Sequence, residues 1–159
     1  MKELLSYLFP FFVDDIEKVI SDRHVDYSKE TLTDTQLYHM WTLTEGYLDW
    51  WYNFLFERKA AFTLLLKCSE GTQYQSFQHD LVERICEETY RCYTAAATRG
   101  LVRNDISRRE LHVLTTAFWS TMYEPCIHNF TKEEIRHHCY LKTHFIDWHK
   151  VLGFGEPQA

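Results

Sequence analysis

The chain has 159 residues, 45% of them apolar and 25% charged, with only five Gly and three Pro. That is one globular domain with enough apolar material for its own core, and it excludes collagen-like, low-complexity and disordered classes. Seventeen Lys and Arg against 23 Asp and Glu leave a formal charge of −6, and an acidic chain without clustered basic residues is a poor binder of nucleic acid on its own. So few turn-forming residues predict helices rather than sheet.

The first predicted element is a helix from Lys2 to Arg23, with a kink or break expected at Pro10, which lacks a backbone donor and crowds the carbonyl of Ser6. Its apolar run, Leu4 to Val13, spans about ten residues, too short to cross a bilayer. Glu3 ahead of the run and Asp14–Asp15 behind it do not fit a secretory signal. A polar stretch from Asp22 to Leu32 follows. Thr33 with Gln36 three residues later is a capping-box pattern that opens a second helix. There Leu37, Trp41, Thr44, Leu48, Trp51 and Leu55 form one stripe, and Tyr38, Tyr47, Trp50 and Phe54 widen it. A helix apolar most of the way round belongs at the centre of the fold.

A short third helix is expected over Arg58 to Lys67, then a turn at Ser69-Glu70-Gly71-Thr72. The fourth helix runs from Gln75 to Arg99, with Phe77, Leu81, Ile85, Thr89, Cys92 and Ala96 on one face and Gly100 as its left-handed terminator. Ser107 with Glu110 opens a fifth helix to His128. Thr131 with Glu134 opens a sixth, ending at Gly153. The expectation is an all-α, six-helix orthogonal bundle forming one domain over residues 1–159.

The last two helices carry apolar residues on two faces. In the fifth, Leu111, Leu114, Phe118 and Met122 form a core-like stripe, while Val113, Ala117, Ser120 and Thr121 form a face of small residues. In the sixth, His138, Leu141, Phe145, Trp148 and Leu152 form one stripe, and Ile135, Cys139, Ile146 and His149 another. A two-faced terminal hairpin predicts a homodimer closed by a four-helix bundle, with Val113, Ala117, Ser120, Thr121, Ile135, Cys139 and Ile146 at the interface. A fully buried hairpin in a monomer is the alternative.

No catalytic constellation is expected. The five cysteines, Cys68, Cys86, Cys92, Cys126 and Cys139, are odd in number and form no Cys-x-x-Cys pair, which fits a reducing, cytoplasmic setting. His79 and Glu83 stand at i, i+4 and could share a ligand, but His-Glu-x-x-His and cysteine zinc spacings are absent. Glu87 and Glu88, being adjacent, diverge on their helix and suit a solvated face. No metal, cofactor or enzymatic activity is expected.

The aromatic content is the stronger signal: five Trp, ten Tyr and eleven Phe make up 16% of the chain. Aromatic walls with a few polar groups suit a flat or amphipathic small molecule, and an ordinary aromatic core is the competing reading. The expected pocket lies among the second, fourth and fifth helices, lined by Trp41, Thr44, Leu48, Trp51, Thr89, Phe118 and Met122.

Several segments resemble one family. Lys2-Glu3-Leu4-Leu5, the stretch from Phe62 to Tyr74, the segment from Phe118-Trp119 to Glu124-Pro125, and the terminal Phe145 to Gly153 are, in order and spacing, similar to the C-terminal half of TetR-family transcriptional regulators. The resemblance implies an effector-binding and dimerisation domain, with residues 1–23 as the helix leading from a DNA-binding domain absent from this chain. It also implies that DNA is contacted only through that helix-turn-helix, and that a small amphipathic or aromatic effector shifts the leading helix. The alternative is a stand-alone helical interaction protein that dimerises with, or modulates, a full-length regulator. No membrane partner is expected.

Overall fold

The computed structural model describes residues 2–22 and 24–155. Every regular element among them is helical: α1 Lys2–Ser21, α2 Asp34–His39, α3 Glu45–Glu57, α4 Lys59–Cys68, α5 Phe77–Thr98, α6 Arg108–Ile127, α7 Lys132–Thr143 and α8 Trp148–Leu152. Arg23, the expected end of the first segment, lies outside the described residues. None of the described helices is long and apolar enough to cross a membrane.

All three expected capping boxes are present. The hydroxyls of Thr33, Ser107 and Thr131 accept from the backbone N–H of Gln36, Glu110 and Glu134, and the latter side chains reach back to the cap N–H groups at 2.9, 2.9 and 2.7 Å. Each box satisfies two donors that a helix start leaves orphaned. At the end of α5, Gly100 has φ 71°. Leu101 N–H donates to the Ala96 carbonyl and Gly100 N–H to that of Ala97, a Schellman termination that needs a residue free of Cβ strain.

Two expected helices are each divided in two. The stretch from Thr33 to Leu55 breaks after His39, where Trp41 N–H and Thr42 N–H close i−3 bonds. Thr44 then sits extended (φ −107°, ψ 153°), and its hydroxyl accepts from Tyr47 N–H at 3.1 Å. A threonine mid-pattern competes for exactly such a local bond, and here it starts α3 afresh. The final helix likewise breaks after Thr143, and Asp147 caps α8 by accepting from Lys150 N–H at 3.1 Å. Of the kink or break expected at Pro10, the break does not occur. α1 is continuous through it, and Phe12 and Ile16 beyond it are buried, Phe12 packing on Phe62 and Phe77 with ring centroids 5.3 and 6.0 Å apart. Tertiary packing here outweighs local propensity.

α5 packs along α6, α1 lies on α4, and α7 lies chiefly on α3 rather than pairing with α6 as a simple hairpin. The buried side of α7 is Ile135, Cys139 and Lys142, spaced i, i+4, i+7. Leu141 and Phe145, expected on one stripe with Trp148 and Leu152, are 52% and 59% exposed, whereas Trp148 and Leu152 are buried.

α3, α6 and α7 are tied at one atom. Pro125 in α6 has no N–H, so the carbonyl of Thr121, four residues back, loses its helical donor. Two side chains replace it: Tyr52 OH of α3 donates to that oxygen at 2.9 Å, and His138 Nε2 of α7 lies 3.0 Å from it. The loop before α2 is pinned in a similar way. Arg99, at the end of α5, donates to the carbonyls of Tyr27 and Leu32 at 2.5 and 2.7 Å and pairs with Asp34 at 3.1 Å.

Candidate functional site

A cleft opens where the α2–α3 break faces α5 and α6. It has two adjoining lobes, about 210 and 410 Å³ in volume, that share Tyr27, Met40, Trp41, Tyr47, Ile85, Thr89 and Trp119. The first lobe extends to Ile20 at the end of α1, Trp51, Glu88 and Cys92. The second extends to Thr115, Phe118 and Trp148. Four of the chain's five tryptophans therefore line one cavity. They pack in pairs: Trp51 meets Trp119 edge-on at 5.1 Å and 90°, and Trp41 meets Trp148 tilted, at 5.8 Å and 53°. Such tilted arrangements are the favoured ones for aromatic pairs.

α5 shows how helix geometry makes the space. Its stripe is buried at both ends, at Phe77, Leu81, Cys92 and Ala96, but Ile85 and Thr89 in the middle are only half-buried and form the cleft floor. The break before α3 moves Met40 and Trp41 off the α3 stripe and onto the opposite wall. Had residues 33–55 formed one straight helix, Trp41 would have stacked in line with Leu48.

The polar inventory of the cleft is small. Thr89 donates its hydroxyl to the Ile85 carbonyl at 2.7 Å, leaving its oxygen lone pairs to accept. Thr115 is buried and its hydroxyl has no hydrogen-bond partner, and neither has the indole N–H of Trp41; their sulfur neighbours, Cys86 and Cys92, are weak acceptors. Glu88 accepts from Tyr27 OH at 2.8 Å and from Arg91 at 2.8 Å, with His24 3.5 Å away. Burial first, then the neighbouring Cys92 and Glu88, pushes the Tyr27 phenol well above its ordinary range, so it stays a donor. Burial likewise pushes the Cys92 thiol up to about 12.

Of the expected pocket residues, Trp41, Trp51, Thr89 and Phe118 line the cleft. Thr44, Leu48 and Met122 do not. Thr44 is occupied as the α3 cap, and Leu48 and Met122 are 0% and 1% exposed within closed core. Tyr27, Trp119, Thr115 and Glu88 were not expected. Thr115 was legible as a hydroxyl interrupting the α6 stripe Leu111, Phe118, Met122. Tyr27, a lone aromatic in a polar loop, gave a weaker sign. Glu88 is not on a solvated face, whereas Glu87 is half-exposed and pairs with Arg108.

Of the expected interface residues, Val113 and Ala117 are exposed and Ser120, Thr121 and Ile146 half-buried. Ile135 and Cys139 are 4% and 3% exposed, packed into this chain's own core by the α3–α7 contact, and offer no surface to a second copy. Glu83 is engaged by Arg108 at 3.3 Å and by His112 at 3.1 Å, with the His79 ring 6.0 Å from that of His112. Among the described residues no group of three or more His, Cys, Asp or Glu side chains could hold a metal ion.

No protein-family model matches the chain, and no curated protein or solved structure matches it.

Proposed function

We propose that this chain is the ligand-sensing and dimerisation domain of a TetR-like transcriptional repressor, and that its cleft binds a small amphipathic or aromatic effector. The observation that carries the reading is the cleft itself: aromatic walls, a few hydroxyls and one carboxylate, the make-up of a small-molecule site. Ile20, in the last turn of α1, lines the same space, so a bound effector would touch the helix that leads towards a DNA-binding domain. The charge of −6 is consistent with DNA contacts belonging to a separate helix-turn-helix.

In this account the orthogonal bundle dimerises through α6 and the exposed end of α7. The exposed residues proposed for this face are Val113 and Ala117 on α6 and Leu141 and Phe145 at and just beyond the end of α7, in place of Ile135 and Cys139. Ala117→Arg would put a charge on that face. Light scattering at micromolar concentration is expected to give a dimer for the parent chain and a monomer for the variant. A monomeric parent would contradict the dimer. Sensing is tested by hydrogen exchange with the neutral fluorophore N-phenyl-1-naphthylamine as surrogate effector. Protection is expected to change in α1 as well as in the cleft segments. Changes confined to the cleft would leave a binding protein without the coupling to α1.

A further inference from the structure

Among the described residues, the cleft is lined by one charged side chain, Glu88, and by no Lys, Arg or His. An anionic ligand would have to give up its hydration against a carboxylate, with only uncharged donors to meet it. Arg91, which pairs with Glu88, lines a different groove, beside Asp26 and Tyr90, and His24 is 66% exposed. Glu88 therefore borders the cleft with its carboxylate held by Tyr27 OH and Arg91 at 2.8 Å each, while Arg91 and His24 do not line the cleft. Around it in the same lobe stand Trp41, Trp51, Trp119 and Tyr47. Indole faces are the best aromatic partners for a cation, and their attraction grows as the site is dried. The acidic surface adds a long-range pull on cations.

We infer that the cleft takes an organic monocation with an apolar or aromatic body, its charge placed between Glu88 and the indoles of Trp41, Trp51 and Trp119. This rests on the effector-binding reading above and names its ligand class.

Three probes of similar size separate the outcomes by calorimetry or tryptophan emission: phenyltrimethylammonium, its neutral isostere tert-butylbenzene, and benzenesulfonate. The expected order is cation, then neutral, then anion, with the cation favoured about tenfold or more over the isostere. In Glu88→Gln that ratio is expected to fall towards one, with circular dichroism reporting whether the helices persist. The ratio in the unmodified protein stands as a test should the variant not fold. Equal or tighter binding of the neutral probe or the sulfonate would overturn the cation inference and leave a neutral-ligand cleft standing. Binding of none of the three at millimolar concentration would overturn both.

Discussion

Lys142 is 2% exposed, with its ammonium 3.2 Å from the Phe118 carbonyl and 4.0 Å above the Phe118 ring. None of the ion pairs among the described residues includes Lys142. Burial lowers its pKa from the ordinary 10.5 to about 7, against a small opposing pull from Cys139. Below pH 7 the amine is charged in both folded and unfolded chains. Between about 7 and 10.5 the unfolded chain binds a proton that the folded chain does not, so folding stability rises with pH, by at most about 1.4 kcal/mol per pH unit. As pH approaches 9 the opposite trend takes over. Burial holds the thiols of Cys126 and Cys139 up at about 11 and that of Cys92 at about 12, and raises Cys86 as well, so the unfolded chain then loses protons that the folded chain keeps. Between pH 7 and 8, urea midpoints of the parent chain are expected to climb. Those of Lys142→Met are expected not to climb over that range and to lie higher at pH 7, because the variant keeps the stem and removes an amine that must be buried charged or lose its proton. Parallel profiles for the two would show that Lys142 is not buried as described. Nothing at residue level foretold this lysine. Its position falls on the α7 stripe with Ile135 and Cys139, but a Lys on a helix is ordinarily read as solvated.

At the scale of elements, the strongest local signals were reliable where they were self-contained. The capping boxes at Thr33, Ser107 and Thr131 need only four residues each, and all three stand where the pattern puts them. The breaks at 40–44 and 144–147 were less legible. An apolar period continues across them, and only the caps Thr44 and Asp147 mark the interruption. Which face of α7 is buried was not legible either, because both stripes are apolar and the choice is made by α3. Pro125 joins these elements in a way that can be measured. Removing the Tyr52 hydroxyl with Tyr52→Phe is expected to cost about 1 kcal/mol, the usual net value of a buried hydrogen bond. In a Pro125→Ala background residue 125 regains an N–H that can serve the Thr121 carbonyl, and the cost of Tyr52→Phe should shrink. A double-mutant cycle by chemical denaturation reads the difference. Strict additivity would mean that the proline does not create the acceptor that Tyr52 fills.

The whole molecule is a helical fold whose interior is left open between the α2–α3 break and the middle of α5. Composition signalled an aromatic excess, and the stripe positions located Trp41, Trp51, Thr89 and Phe118 on its walls. The rest depends on long-range placement: Tyr27 is brought in by a loop fastened to Arg99, and Trp119 and Thr115 by the rotation of α6 against α5. The central claim is that this space admits a ligand rather than closing on itself. Titration with N-phenyl-1-naphthylamine tests it most directly, comparing the parent chain with Thr89→Trp, in which an indole fills the floor shared by both lobes. The parent is expected to give a saturable, one-to-one rise in fluorescence, and Thr89→Trp to abolish it with helical content unchanged. No saturable binding by the parent, or equal binding by a well-folded Thr89→Trp, would contradict the cleft as a binding site.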